Sequence, residues 1–361
     1  MLSLDHLDDL MAIEPSPRYL IAVSNIRERT HESDAVLSIK TTANLIRAIS
    51  KSTDVLFTLK RGRNGVSFIN ATHIGKRLID TIGRDLPRVE EYLAGNGFNT
   101  YYRLLQSATQ PVPDIHERAR YYTALIGDEA ALFYKQITDV VEQLRAESKT
   151  DRFLSDLDAR RRQCQANHQS AKDYINFIFD HRASKNLAVR IDLVTGGETA
   201  ESRGITNSVS LDQAKVEFNR FIRFARKRFP VTGWMASLEY GVKTGYHYHV
   251  LIFLNGHMCV NDINNCRILG EHWSQLITEG RGRYYNCNAN SYIQRGIGMI
   301  SHYDSDKRRI LVDHVVSYLT KTDFWIKFAG TGRTFNKGPV PEEERNRMIP
   351  KGGRPRKTVN P

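Results

Sequence analysis

Two histidines separated by one residue, His247 and His249, are the most distinctive chemical groups in the sequence. They lie in the run GYHYHVLIFL, whose apolar end predicts a β-strand. Alternate residues of a strand point to the same side of a sheet, so both imidazoles are expected to face one point. The pair fits a metal site, but His-x-His is also found as a half-buried pair without a ligand, and this spacing alone leaves both interpretations open.

A glutamate on the preceding strand favours the metal interpretation. The runs on either side of Gly241–Gly245 predict an antiparallel hairpin with a short loop. Pairing Tyr240 with Tyr246 places Glu239 opposite His247, with about 5 Å between their Cβ atoms. One carboxylate and two imidazoles at this spacing can share a divalent cation. The sequence therefore predicts a metal site made by this glutamate and the two histidines.

A tyrosine near the C-terminal end is the candidate nucleophile. In DHVVSYLTKTDFWIKF, helical spacing places His314, Tyr318 and Lys321 on one face of a helix predicted from about Asp313 to Phe328. A tyrosine hydroxyl titrates near 10, so it is a poor nucleophile at neutral pH unless a cation favours the phenolate. Lys321 could supply that charge or bind a phosphate. An amphipathic helix with Tyr318 covering the core and Lys321 in solvent fits the same pattern.

The overall charge favours a polyanionic partner. The chain has 361 residues, with 52 Lys and Arg against 40 Asp and Glu, a formal charge of +12 and a pI near 9.5. Nucleic acid is the commonest partner of such proteins. The N-terminus carries acids where a secretory signal needs bases, and no apolar run has the length of a membrane span. We therefore expect a soluble, intracellular protein.

The four cysteines show no CxxC spacing and are expected to be free thiols in a reducing compartment. They are Cys164, Cys259, Cys266 and Cys287. A zinc site is the less favoured alternative, because the spacing of its ligands would be irregular. Its residues would be His257, Cys259, Cys266 and His272.

The elements that must position these groups fall in the second half of the chain. Residues 1–165 are predicted to be mainly helical, with a loose arm over the first thirty residues and a small hairpin around Arg63-Asn64-Gly65. They contain no evident catalytic group, and their role is open. A domain boundary is expected near residue 165, between a charged connector and a second domain.

The second domain is predicted to be α+β, a small antiparallel sheet covered by helices. Leu187–Val194 alternates as a strand with one apolar face, and Arg190 and Asp192 share the other face. An ion pair without catalytic function is the favoured interpretation of these two charges. A helix follows to Phe229, then the histidine hairpin, a loop-rich segment over Asn255–Tyr292 and the helix with the tyrosine.

Two basic segments are candidates for DNA contact. In EGRGRYYNCN, Arg281 and Arg283 lie beside Tyr284, and cations next to aromatic rings suit single-stranded nucleic acid by charge and stacking. A plain surface loop fits that segment equally well. Residues 338–361 are expected to be a basic, flexible tail, and KGGRPRK with Arg354 is similar to minor-groove-binding AT-hooks. A disordered tail without specific binding is the alternative.

In combination these motifs resemble the HUH endonuclease superfamily, and most closely its inovirus-type replication initiators, the filamentous-phage gene II protein family. The resemblance covers roughly residues 170 to 340 in colinear order. It rests on the runs VRIDL at Val189–Leu193, LEYGVKTGYHYHVLIF at Leu238–Phe253, IGMIS at Ile297–Ser301, YLTKTD at Tyr318–Asp323 and GRTF at Gly332–Phe335.

The resemblance implies roles for individual residues. His247 and His249 match the paired histidines of the superfamily, and Glu239 matches its acidic third metal ligand. Tyr318 matches the nucleophile and Lys321 its helical partner. Some relatives carry a second tyrosine one helical turn away, where this sequence has His314, Val315 and Thr322, so a single-tyrosine enzyme is expected. Asp192 lies in the first strand motif of the family, and Asp192 and Arg190 are candidate DNA contacts. The implied fold is an HUH-type antiparallel sheet, ferredoxin- or RRM-like, over residues 166–337.

The implied activity is site-specific nicking and religation of single-stranded or hairpin origin DNA, with Mg²⁺ or Mn²⁺ and a 5′-phosphotyrosine intermediate. This chemistry serves rolling-circle replication of a phage or mobile element in the cytoplasm of a bacterial host. A host polymerase and helicase are the expected partners. A transposase or relaxase would use the same chemistry, and a non-catalytic origin-binding regulator is the alternative from another class.

Overall fold

The computed structural model describes residues 31–62, 65–93, 96–196, 209–241, 245–328 and 333–345. The expected N-terminal arm and the Gly-Arg-Pro segment with Arg354 lie outside these residues. The chain is a mixture of helices and strands, and its sheets are antiparallel.

The N-terminal region is mainly helical and contains the expected hairpin. Strand β1 (Phe57–Arg61) pairs antiparallel with β2 (Ser67–Ala71), and β3 (Asn96–Phe98) lies further along. The alternation around Asn-Gly predicts this hairpin correctly. The helices are α1 (His31–Lys51), α2 (His73–Asp80), α3 (Leu86–Leu93), α4 (Thr100–Thr109), α5 (Ile115–Arg120), α6 (Gly127–Glu147) and α7 (Asp151–Phe177).

The second region is built around one sheet. Its strands are β4 (Lys185–Val194), β5 (Val231–Gly241), β6 (Gly245–Asn255), β7 (Arg283–Asn286), β8 (Gly298–Ser301) and β10 (Phe335–Lys337). Their order is β10-β5-β6-β4-β7, and β8 also pairs with β4. Strand β9 (Ile326–Phe328) pairs instead with β3. The helices are α8 (Leu211–Arg228), α9 (Asp262–His272), α10 (Ser305–Ile310), α11 (Ser317–Lys321) and α12 (Glu342–Arg345).

Helices cover both faces of this sheet. On one face the apolar residues of β4 pack with α8 and α9, as the alternation in that strand predicts. On the other face lie the C-terminal end of α7, a π-helical stretch over Leu311–Val316 and α11. The polar residues that the sequence analysis named as candidates for catalysis meet on this second face.

The two regions share elements, and the boundary expected near residue 165 falls inside α7. The first half of this helix packs in the N-terminal core through Phe153 and Leu157, and its second half packs against the sheet through Tyr174 and Ile175. Strand β3 of the N-terminal region also pairs with β9, which follows α11. The helical region is therefore joined to the chain segment just after Tyr318.

Two segments differ from the expectations. The stretch expected to be loop-rich contains α9, which begins at an Asn261 N-cap that accepts a hydrogen bond from Asn264 N at 2.9 Å. The last long helix begins earlier, after Asp304, and ends at Lys321 instead of Phe328. It ends there because the following residues turn into the N-terminal core and then pair as β9.

The first residues of the expected tail pack on the sheet region. Gly338 N donates to Trp234 O at 2.9 Å, and Glu344 forms an ion pair with Arg182 at 2.7 Å. Residues 346–361 lie outside the described part of the chain. The four cysteines are free thiols, as expected.

Candidate active site

The histidine hairpin has the predicted register. Tyr240 pairs with Tyr246 and Glu239 with His247 across β5 and β6. Period-two alternation and the glycines that bound the loop specify this register, because a shift of one residue would turn every side chain to the wrong face.

A third strand adds a second carboxylate to the hairpin. Strand β4 pairs with the other edge of β6 and places Asp192 opposite His249. The Asp192 Oδ1 lies 2.9 Å from His249 Nδ1, and the Glu239 Oε2 lies 3.1 Å from His249 Nε2. His249 is 7% exposed, so its imidazole is held between two carboxylates away from water.

The tyrosine of α11 reaches the same imidazole. The Tyr318 hydroxyl lies 3.1 Å from His249 Nε2, and the two rings meet edge to face at 5.1 Å between their centres. Tyr318 is 6% exposed, and its hydroxyl faces this polar cluster on the sheet. Residues far apart in the chain, predicted independently, are thereby brought together.

A π-helical stretch precedes this tyrosine. Leu311–Val316 has hydrogen bonds of the i to i+5 type, and Ser317 N–H donates to both His314 O and Val312 O where this stretch passes into α11. Such insertions are frequent at functional sites, and here the stretch leads directly into α11.

An arginine lies beneath the tyrosine. Arg190 is 1% exposed, forms an ion pair with Asp192, and has its guanidinium carbon 5.4 Å from the centre of the Tyr318 ring. Its backbone N–H donates to Asn288 Oδ1 at 2.7 Å. The ion pair favoured by the sequence analysis is present, and it is a buried part of the site rather than a surface pair.

The charges perturb one another in definite directions. Burial disfavours the charged form of His249, but Asp192 and Glu239 outweigh it and raise the pKa of His249 to about 9. Burial also opposes ionisation of the two carboxyls, yet Arg190 and His249 hold the pKa of Asp192 below its ordinary value, and His249 does the same for Glu239. These three side chains therefore favour an imidazolium between two carboxylates.

The tyrosine is shifted the other way. Burial, with Glu239 and Asp192 nearby, raises the pKa of Tyr318 well above its ordinary value, while the Arg190 guanidinium lowers it in part. Lys321 was the cation expected beside the tyrosine or at the phosphate. That lysine is the last residue of α11, and its side chain lies outside the described residues. The described cation at the ring is Arg190.

The carboxylate and imidazole groups of the site are of the types that bind divalent cations, but two of them contact each other directly. Among the described residues, no group of three or more His, Cys, Asp or Glu side chains is spaced to hold a metal ion, and this includes the alternative zinc ligands. Glu239 and His249 instead contact each other directly. A carboxylate on Nδ1, as Asp192 provides, is the usual partner of a histidine that binds metal through Nε2. Glu239, His247 and His249 would hold a cation once that direct contact opens.

The remaining candidates lie elsewhere. Arg281 forms an ion pair with the buried Glu217 and donates to Thr195 O at 2.7 Å, so it holds local structure. Arg283 is exposed on β7, an edge strand, while Tyr284 is half-buried against Gly270 of α9. Of the proposed DNA contacts in this segment, Arg283 is the one left open to solvent.

Sequence reasoning left out part of the site. It did not connect Asp192 with His249, although a strand that is otherwise apolar and carries two charges on one face is a signal for buried chemistry. Asn288, fully buried, also supports β4 by accepting from Arg190 N and donating to Ala188 O at 3.0 Å. Nothing in the local sequence indicates that role.

Comparisons with models of protein families, with curated proteins and with solved structures found no match for this chain. The chemistry of the site is thus inferred from its own residues and contacts.

In the ranges that the structure describes, each helix is too short or too polar to cross a membrane.

Proposed function

We propose that the protein is an HUH-type single-strand DNA endonuclease and strand transferase, which nicks and reseals origin DNA to initiate rolling-circle replication of a phage or mobile element. The observation that supports this most is the 3.1 Å contact between the Tyr318 hydroxyl and His249 Nε2, groups 69 residues apart in the chain. An amphipathic helix that merely covered a core with its tyrosine would not need to aim the hydroxyl at a histidine flanked by two carboxylates.

The nucleophile in this proposal is the phenolic oxygen of Tyr318. It forms a bond to the phosphorus of the scissile phosphate, and the bond from phosphorus to the 3′-oxygen breaks. The phenolic proton ends on the departing 3′-oxygen, which becomes a hydroxyl that a host polymerase extends. Attack by a 3′-hydroxyl on the phosphotyrosine reverses these changes and reseals the strand without ATP.

Three residues prepare the site for this attack. Asp192 holds His249 through Nδ1, which fixes the imidazole with Nε2 toward the tyrosine and Glu239. Arg190 supports Asp192 and favours the phenolate across the ring face. Glu239 is the more open member, with its side chain 32% exposed, so the DNA phosphate approaches from its side.

A divalent cation, Mg²⁺ or Mn²⁺, completes the proposed site at Glu239, His247 and His249. When bound it would polarise the phosphate oxygens and offset the carboxylate charge that now raises the pKa of Tyr318. The side chains contribute the orientation, since His249 must present its neutral Nε2 and Asp192 keeps the remaining proton on Nδ1.

The charge of the chain fits the proposed substrate. A formal +12 favours association with DNA, and the sheet-face site requires a strand that is single or looped out as a hairpin so that its phosphate reaches Tyr318. In this proposal a host helicase exposes the template, and the protein acts in the bacterial cytoplasm.

The test is formation of a covalent adduct. A nick of this polarity leaves the downstream fragment on the protein, so random-sequence single-stranded DNA is labelled at its 3′ end and incubated with protein and Mn²⁺ or Mg²⁺. We expect an adduct on a denaturing gel with the wild type and with Tyr303→Phe, an exposed control, and none with Tyr318→Phe. Sequencing the captured DNA maps the nick.

Two further outcomes separate the alternatives. EDTA should abolish the adduct and added Mn²⁺ restore it, whereas the His247→Ala/His249→Ala variant should not respond to metal. Undiminished nicking by that variant would exclude the metal site. DNA binding by the wild type without any adduct, under every metal condition, would instead identify a non-catalytic regulator.

A further inference from the structure

A cavity in the N-terminal region has no part in the proposed nicking reaction. Its volume is about 850 Å³, and it lies where the C-terminal ends of α1 and α6 meet the first turns of α7. Cavities of this size accommodate ligands of nucleotide dimensions. It was not predicted from the sequence, because its walls combine α1 and Tyr101 of α4 with the later α6 and α7.

The described lining of this cavity is strongly basic. One carboxylate, Asp158, lines it, and it forms ion pairs with both Arg161 and Arg162. The cations at the cavity are Lys51, Arg145, Lys149, Arg161 and Arg162. So large an excess of positive charge around a concave surface favours an anionic ligand.

Arg161 presents a partly exposed guanidinium at the cavity. Its side chain is 12% exposed, and its Nη2 forms an ion pair with Asp158. A guanidinium has five N–H donors, so an arginine with one carboxylate partner can still donate to a ligand that accepts several hydrogen bonds, and phosphate is the common one. Lys51 and Lys149, both exposed at the rim, add two mobile ammonium groups.

Local donors offset the unfavourable helix ends at the cavity. The C-terminal carbonyls of α1 and α6 carry partial negative charge, which disfavours an anion, but several of them accept hydrogen bonds. Arg145 donates to Ile49 O at 3.4 Å, Ser50 Oγ donates to Leu144 O at 3.5 Å, and Ser148 Oγ donates to Arg145 O at 3.2 Å. The N-terminal end of α7, which contributes the third wall, carries the favourable positive end of its dipole.

Part of the wall is apolar. Leu154, which is 49% exposed, and the buried Leu157 both line the cavity, next to Tyr101 in edge contact with Phe153 at 5.1 Å. A ligand that places phosphates on the cations and a flat ring against these side chains would use the whole cavity. We propose that the cavity is a nucleotide-binding site, taken by a free nucleoside triphosphate or by a nucleotide unit of a single DNA strand.

The test is calorimetric titration of the full chain in EDTA with three probes: ATP, adenosine and the oligonucleotide (dT)₆. Lys51→Glu/Lys149→Glu is expected to weaken binding of the phosphate-bearing probes by at least about tenfold, through loss of charge-assisted contacts. The matched control is Lys60→Glu/Lys76→Glu, which makes the same charge change at two exposed lysines outside the cavity and should lower affinity by less than about threefold.

The probes distinguish the two sources of the nucleotide. Lysine-dependent binding that is tighter for ATP than for (dT)₆ supports a free nucleotide, and the reverse order supports a DNA strand. Three results would overturn the proposal: no binding of either probe at about 1 mM, equal losses in the two lysine pairs, or adenosine binding as tightly as ATP. None of these depends on adduct formation at Tyr318, so failure here leaves the nicking proposal untouched.

Discussion

The two regions of the molecule bury very different side chains. The N-terminal core is assembled mainly from aliphatic and aromatic groups of α1, α3, α4 and α6. The sheet face toward α11 instead buries a guanidinium, a carboxylate and an imidazole in mutual contact. Buried charges lose much hydration free energy, so an arrangement of this kind is most readily explained by chemistry rather than by stability.

The N-terminal core also holds the chain segment that follows Tyr318. Phe324 and Trp325, three and four residues after Lys321, are fully buried in the N-terminal core, and Arg160 of α7 donates to Asp323 O at 3.1 Å. The apolar region therefore holds the chain segment that leaves the helix of Tyr318. We infer that one region supplies reactive groups and the other fixes their position.

The largest expected effect tests whether the sheet region depends on its buried charges. Arg190→Met removes one of the two cations that contact the partly buried Asp192 and leaves His249 as the other, and we expect the free energy of unfolding to fall by roughly 3 to 5 kcal/mol. Urea unfolding measures this. Arg283→Met, an exposed control on β7, should change stability by less than about 0.5 kcal/mol. Equal stability of the two variants would mean that the pair is not integral to the fold.

The next effect tests the support given by the N-terminal core. Trp325→Ala opens a cavity in that core, at a cost of roughly 3 to 4 kcal/mol. Because Trp325 follows the helix of Tyr318, we also expect less adduct under conditions where the variant is fully folded. Tyr121→Ala, a 57% exposed aromatic of the same region, serves as the control. Unchanged adduct formation by folded Trp325→Ala would show that the regions act independently.

A pH titration sharpens the comparison by isolating the imidazole. The pKa of His249 is raised from 6.5 to about 9 in the folded protein. The stabilisation that the protonated imidazole gives the folded state is therefore complete below pH 6.5 and is lost as the pH rises through about 9. A shift of that size corresponds to about 3 kcal/mol. In EDTA, the urea midpoint of the wild type should fall over this range. The urea midpoint of His249→Gln should not show this decrease with pH. His73 is exposed, so His73→Gln should show the same decrease as the wild type.

The smallest effect concerns the joint between the regions. Asn99 caps α4 by accepting from Tyr101 N at 3.0 Å, and its Nδ2 donates to Phe324 O at 3.1 Å. Asn99→Ala should cost roughly 1 to 2 kcal/mol. Asn99→Ser keeps a side-chain oxygen for the cap and loses the donor to Phe324, so comparing the two variants by urea unfolding separates the contact with Phe324 from the cap. If Asn99→Ser matched the wild type, the contact with Phe324 would contribute nothing.

The sequence predicted local features well. The register of the histidine hairpin followed from alternation and from the glycines of its loop, and the apolar face of β4 followed from alternation in Leu187–Val194. Both are determined within a few residues, where side-chain periodicity and turn chemistry dominate.

The non-local features were not predictable in the same way. Asp192 and His249 are 57 residues apart in the chain, and the sequence of neither strand specifies which strand pairs with it. The end of the last helix at Lys321 depends on Trp325 entering a core made by the other half of the chain. The π-helical stretch over Leu311–Val316 was also not predicted, because helical periodicity assumes a constant number of residues per turn.

Helix α7 has a consequence for how this protein can be divided. Its 27 residues span about 40 Å, and one rigid rod has its opposite ends embedded in separate hydrophobic interiors. Cutting the polypeptide at residue 165 would strip each fragment of half the rod. The region that carries the proposed site therefore cannot be separated from the rest of the chain at this point, and fragments designed for expression or for fusion to other proteins should retain the helix whole.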